Sequence, residues 1–414
     1  MKDATSLRNR SVSLLLAAVF LLSSLWLPLM RSHASFPEYE TTGYYYSELA
    51  PKEKEAYRAI AKALTAGGKE FPKSIPVPAL TDTEVRRTTQ ALVWDEPEFF
   101  FLNYYLCYCT AASGRTKFIP KYDMTKAEYE KKLKKVRSRV ESFLKKAPKE
   151  GTDYEKELYV HDHMIEYFSY PSDHTLFPDE NDLDDAYRYH TMTSLFLEGL
   201  GVCEAYSLAF QYLMAQLGVP ARTVGGLGAP VSSKADFGGH AWNLVTLNGK
   251  DYLVDVLWDE CNSKEEKEDY YSLEPRHVYF NLTADHLQGH WSDSALDQLH
   301  ASDDNENYYR RNGLSWATYP EMKQKLPGLM AQRFSERNLT VEFQFENAEA
   351  YRTARRELFD QKGIVSLIDE ANRLLPEDDK FRISDTHYGF STFNFCNVIV
   401  LKLRYVTVDQ DGNE

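Results

Sequence analysis

Gly199-Leu200-Gly201-Val202-Cys203-Glu204-Ala205-Tyr206 leads into a helical pattern. Ala205, Leu208, Ala209, Tyr212, Leu213 and Ala215 recur at roughly helix spacing, and Gly218-Val219-Pro220 stops the run. The spacing predicts Cys203 in the first turn of this helix. There the unpaired N–H groups and the positive end of the helix dipole favour a thiolate. A small buried cysteine that only packs a helix start fits the same stretch. What separates the two readings lies downstream, at His240 and Asp255.

Gly239-His240-Ala241-Trp242-Asn243-Leu244-Val245-Thr246-Leu247 has a strand pattern, Asn248-Gly249 is a strong two-residue hairpin signal, and Lys250 to Trp258 reads as the returning strand. A two-residue turn sets Trp242 opposite Asp255 and His240 opposite Leu257. His240 and Asp255 then become diagonal neighbours on one face, within reach of an imidazole–carboxylate hydrogen bond. A slip of one residue would put them on opposite faces. An unpartnered aspartate in so apolar a strand would be costly to bury, and orienting an imidazole meets that need. His240 could in turn take the proton of Cys203, which makes Cys203, His240 and Asp255 a candidate set for acyl transfer. Separately, His240 could be a satisfied core histidine and Asp255 a carboxylate on a backbone amide.

These segments resemble a known family. Gly201-Val202-Cys203-Glu204-Ala205-Tyr206, Gly218-Val219-Pro220-Ala221-Arg222, Gly239-His240-Ala241-Trp242-Asn243 and Tyr252 to Asp259 are similar to the core of the transglutaminase-like superfamily, above all to its exported bacterial members. The likeness runs from about Tyr154 to Asn312, with His161-Asp162 and His277-Val278-Tyr279-Phe280-Asn281 contributing. Glu96-Pro97-Glu98-Phe99-Phe100 more weakly resembles N-terminal extensions of such proteins. The resemblance implies an α+β, papain-like core with an antiparallel sheet and a nucleophile-bearing helix. It also implies that Cys203, His240 and Asp255 act as nucleophile, base and orienting acid, with no metal or cofactor. Two positions depart from the pattern: Leu257 stands where Thr often precedes Trp, and Ala205 where Gly is common. Neither removes a catalytic group. A second oxyanion donor is placed near Tyr187–Thr191 only as a guess.

With 414 residues, 43% hydrophobic and 27% charged, the chain has the composition of a globular protein of two or three domains. Lys2, Arg8 and Arg10 precede an apolar run from Val12 to Met30, and Ser32-His33-Ala34 offers a small-x-small cleavage site. That layout predicts a signal peptide over residues 1–34 and an extracytoplasmic protein, secreted or on the cell surface. The run is long for a signal, so an uncleaved anchor is the one expected membrane contact. Removing residues 1–34 deletes four positive charges and one negative, taking the net charge from −14 to about −17. Nucleic acid is therefore an unsuitable partner.

The remaining chain divides into a mixed N-terminal region over residues 35–121, a transglutaminase-like core over 122–312, and a helix with a small α/β accessory domain over 313–414. Helices are expected at Pro51–Leu64, Thr81–Trp94, Thr125–Lys146 and Tyr154–Phe168, and strands at Glu98–Leu102 and Tyr104–Cys109. Pro178–Asp185 reads as a surface loop. The C-terminal part is expected to place strands at Leu339–Phe345, Phe381–Ser384 and Phe395–Val406, and helices at Tyr319–Phe334, Ala348–Phe359 and Ile364–Leu375. His161 and His163 lie two apart and do not face each other on a helix. His286 and His290 have a metal-compatible spacing but lack the glutamate of a helical metal motif, so no metal is expected at either pair. Cys107, Cys109, Cys261 and Cys396 could pair in three ways or remain thiols.

The sequence thus predicts an exported cysteine acyl-transfer enzyme acting on amide bonds of proteins or peptides, cell-wall-associated ones included, through a thioester. Water as acceptor makes it a peptidase or amidase, and an amine makes it a transglutaminase. The alternative is a non-catalytic exported scaffold of the same fold that binds cell-surface peptide or cell-wall material.

Overall fold

A computed structural model describes residues 43–112, 115–171, 187–228, 238–263, 277–287, 289–292, 301–377 and 379–407. The expected signal peptide and the Pro178–Asp185 loop lie outside them. Among the described residues no helix is long and apolar enough to cross a membrane.

After a short helical turn at Tyr44–Glu48 come α1 (Pro51–Thr65), β1 (Ile75–Val77), α2 (Asp82–Asp95), β2 (Tyr108–Ala112) and β3 (Arg115–Ile119), then α3 (Lys126–Phe143) and α4 (Asp153–Tyr167). Thr81, Thr125 and Thr152 each cap the following helix, in capping boxes with Glu84, Glu128 and Glu155. The strands expected at Glu98–Leu102 and Tyr104–Cys109 are not formed. Short 3₁₀ turns take their place at Pro97–Phe99 and Tyr104–Leu106, and a strand starts only at Tyr108. Pro97 starts the first turn, and Phe99, Phe100, Phe101 and Leu102 are all buried, an arrangement that a strand with one wet face cannot give.

The core follows as α5 (Met192–Glu198), α6 (Cys203–Gln216), β4 (Ala221–Gly228), β5 (Gly238–Leu247), β6 (Lys250–Val254), α7 (Val256–Ser263) and β7 (His290–Ser292). The sheet is antiparallel in the order β6-β5-β4-β7, with α6 packed on β4 and β5. Leu247 pairs with Lys250 and Asn243 with Val254, the register of a two-residue turn. Asn248 and Gly249 supply it with φ of 52° and 76°. The returning strand is shorter than expected. It ends at Val254, because Asp255 donates its N–H to the Tyr279 carbonyl (3.0 Å) and α7 begins at Val256.

The C-terminal part comprises β8 (Ser315–Trp316), α8 (Tyr319–Ser335), β9 (Thr340–Phe345), α9 (Ala348–Arg355), α10 (Gly363–Leu374), β10 (Phe381–Ile383), β11 (Gly389–Phe393), β12 (Val398–Lys402) and β13 (Tyr405–Thr407). Its main sheet has the order β11-β12-β9-β8. The strand expected at Phe395–Val406 is broken. Asn397, at φ 56°, closes a turn that pairs β12 with β11, and Leu403-Arg404 separates β12 from β13. One apolar core runs from Leu49 to Leu314 and takes in Phe395, Cys396, Val398 and Val400; a second lies within residues 316–403. The protein is α+β. Cys107, Cys109, Cys203 and Cys396 are all free thiols.

Candidate active site

Cys203 is the first residue of α6. Val202 precedes it in an extended conformation and offers no side-chain cap to the first-turn N–H groups. Gly201 fits only as glycine, since a Cβ there would lie 2.8 Å from both Ala205 Cβ and Leu195 Cγ. The backbone before the cysteine is pinned by bonds from Gly201 N–H to the Ser169 carbonyl (3.2 Å) and from Val202 N–H to the Tyr189 carbonyl (3.0 Å).

His240 reaches the site from β5 and Asp255 from the end of β6. The His240 Nε2–H donates to Asp255 Oδ2 at 2.6 Å. The other oxygen, Oδ1, accepts the Trp258 backbone N–H at 3.0 Å, so both roles considered for Asp255 are realised together. The Cys203 side chain lies close enough to His240 to favour its charged form. With Nε2 on the carboxylate, Nδ1 is the ring nitrogen left for the sulfur. Burial alone would disfavour the imidazolium, but the Asp255 carboxylate and Cys203 outweigh it and lift the His240 pKa to about 10. Burial likewise opposes the Asp255 charge, yet His240 and His290 hold its carboxyl well below the usual range. The Trp258 ring stacks on His240 at 4.9 Å and shields this pair from water.

Two groups around Cys203, His240 and Asp255 were not legible in the sequence. His290, noted there only for its spacing from His286, is buried and donates through Nε2 to the same Asp255 oxygen at 2.8 Å. Its separation of 35 residues from Asp255 carries no local signal. His286 joins neither of the histidine–carboxylate clusters found among the described residues. Glu204, next to Cys203, is buried and accepts from Trp94 Nε1 (2.6 Å) and Tyr104 Oη (2.7 Å) on one oxygen. Its other oxygen meets Tyr105 Oη (3.4 Å) and His190 Nδ1 (3.1 Å). Of the stretch Tyr187–Thr191, His190 thus reaches α6. The N-terminal region also packs Trp94 against β4, where a Cβ on Gly225 would overlap the indole.

Residues 126–255 match the family model described as the transglutaminase-like superfamily. The chain carries a transglutaminase-like core. All three triad candidates fall within the matched segment, Asp255 at its last position, whereas Trp94, Tyr104 and His290 fall outside it. No curated protein matches the chain. Among solved structures it is similar to one described as a TGase, at 15% identity over 47% of this chain and 52% of that one, with a TM-score of 0.27. A proposed protease from Parabacteroides distasonis matches at 12% identity over 36% and 35%, TM-score 0.21. A proposed cysteine protease from Cytophaga hutchinsonii matches at 14% over 36% and 61%, TM-score 0.23. In each case the match spans less than two thirds of the neighbour's length.

Proposed function

We propose that the protein is a cysteine acyl-transfer enzyme of the transglutaminase-like type, acting on amide bonds of peptides or proteins outside the cytoplasm. The observation that carries this reading is the buried 2.6 Å contact between His240 and Asp255, with Cys203 at a helix start beside the imidazole. In this reading Cys203 attacks the amide carbonyl and forms a tetrahedral intermediate, whose oxyanion is met by first-turn N–H groups of α6. Imidazolium His240 then protonates the leaving amine, and a thioester on Cys203 remains. Neutral His240 next deprotonates water or an amine, which attacks the thioester, and regenerated Cys203 closes the cycle. Asp255 keeps the imidazole in one tautomer and offsets its charge. The extracytoplasmic setting rests on the charged and apolar pattern of the first 34 residues.

The test is trapping with candidate cell-surface peptides, followed by mass spectrometry of the intact chain and its peptides. An acyl adduct on the Cys203 peptide, absent in Cys203→Ala and strongly reduced in His240→Ala, is the expected result. Unacylated Cys203 across a broad peptide panel, together with an alkylation rate that His240→Ala leaves unchanged, would favour the non-catalytic scaffold.

A further inference from the structure

A second cluster of histidines and carboxylates lies apart from the triad, where α4, the segment after residue 276, α7 and β9 meet. His161 Nδ1 stands 3.0 Å from Asp162 Oδ1, and His277 Nε2 stands 3.1 Å from that same oxygen. The outer nitrogens are backed by further acids. His161 Nε2 lies 3.1 Å from the buried Asp259 carboxylate, and His277 Nδ1 lies 3.4 Å from Glu342 Oε1. Both acids are fixed in turn: Asp259 accepts the Tyr279 N–H on both oxygens at 3.1 Å, and Glu342 Oε2 accepts the His277 N–H and Tyr309 Oη, each at 3.0 Å. Tyr308 stacks on His277 with ring centroids 3.5 Å apart.

We propose that His161, Asp162 and His277 are the protein ligands of a divalent transition-metal ion of the zinc class. The donor atoms of all three lie within 4.8 Å of one another. Tetrahedral zinc with bonds near 2.0–2.1 Å sets its ligands roughly 3.3 Å apart, and the two measured separations are close to that edge. The corresponding distances in the triad cluster, 2.6 and 2.8 Å, are shorter and belong to charge-assisted hydrogen bonds. Metal-bound histidines commonly direct the second ring nitrogen to a carboxylate; here His161 Nε2 bonds Asp259, and His277 Nδ1 lies 3.4 Å from Glu342 without a hydrogen bond.

The three donors come from two segments, α4 and the stretch at residue 277, and both imidazole rings are buried. Asp162, about one third exposed (33%), gives the ion a route in and leaves a coordination position for water. Such an ion would tie the transglutaminase-like core to β9 through Glu342.

The test uses the full chain in a Cys203→Ala background, so that the thiol does not compete. After chelator treatment the protein is titrated with Zn²⁺ by calorimetry in two buffers of different ionisation enthalpy, and with Co²⁺ by visible absorption. One ion per chain, release of protons on binding and a tetrahedral Co²⁺ spectrum are expected. Asp162→Asn and His277→Ala should weaken binding strongly, and Asp259→Asn by roughly 10–100-fold as an outer partner. His290→Ala should bind as its parent does. Absence of stoichiometric binding in the parent protein overturns the site regardless of how the variants fold. So does binding that survives Asp162→Asn but is lost in His290→Ala. Neither result bears on acylation of Cys203, which is measured separately.

Discussion

Gly228 in β4 offers a direct test of how finely His240 is held. A Cβ at this position would lie 2.7, 2.8 and 2.9 Å from Cβ, Cγ and Cδ2 of His240. Carbon atoms in contact rest about 3.5–4.0 Å apart, so Gly228→Ala demands a displacement of about 0.7–1 Å. The imidazole has little room to yield, being held by Asp255 at 2.6 Å and by Trp258 at 4.9 Å between ring centroids. A misplacement near 1 Å can cost on the order of 100-fold in rate, and overpacking of this kind costs roughly 1–3 kcal/mol in stability. The assay is the second-order rate of Cys203 alkylation at neutral pH, read by mass spectrometry on its own peptide so that Cys107 and Cys109 do not contribute. Urea unfolding accompanies it. Gly239→Ala is the control, because a Cβ there meets nothing within 4 Å. Gly228→Ala should alkylate far more slowly than Gly239→Ala. Equal rates with equal stabilities would show that the end of β4 relaxes freely, and the claim of a tightly fixed imidazole would fall.

The lifted His240 pKa makes its ion pair stabilising below the unfolded value near 6.5, and this contribution is lost as pH rises through about 10. Asp255, with its pKa lowered, contributes above the ordinary carboxylate range. The destabilisation caused by His240→Gln should therefore be a few kcal/mol larger at pH 6 than at pH 10.5, as measured by urea unfolding. Glu157 behaves in the opposite sense: complete burial lifts its pKa to about 8, against a hydrogen bond from Asn281, so its burial weighs against folding as pH rises from 4.5 to 8. Glu157→Gln should stabilise by up to about 3 kcal/mol at pH 7 and by little at pH 4.5, and equal effects at both would refute the assignment. Glu204→Ala strands the Trp94 indole and the Tyr104 hydroxyl without their acceptor, each worth about 1–3 kcal/mol when buried, and thermal unfolding should register the loss.

The sequence showed most clearly those parts of the site that rest on local rules. A helix start announced Cys203, and Asn248-Gly249 fixed the register that brings His240 and Asp255 together, although the returning strand stops at Val254. The shortening was hidden because Val254-Asp255-Val256-Leu257-Trp258 suits a strand, while the Tyr279 carbonyl that ends the ladder comes from a distant segment. The aromatic run near residue 100 misled for a related reason. Its residues are β-formers, but they bury consecutive rings against α3, as when Phe101 meets Tyr129 at 4.4 Å. In the C-terminal part, Gly389-Phe390-Ser391-Thr392-Phe393 lacks a clear apolar alternation, and only pairing with β12 makes it a strand. His290, Glu204 and the His161–His277 cluster depend on contacts between segments far apart in the chain, which no periodicity reports.

The bonds around Glu204 have a consequence for how this protein can be inherited. The segment matched by the family model begins at residue 126, but the groups that satisfy the carboxylate beside Cys203 include Trp94, Tyr104 and Tyr105. A recombination event that joined a foreign N-terminal region to this core would leave a buried acid facing the wrong donors, and each buried polar group left unsatisfied costs about 1–3 kcal/mol. Substitutions at position 204 are tied in the same way to positions about 100 residues earlier. The boundary of family likeness therefore cuts through a bonded network that the folded chain uses as one unit.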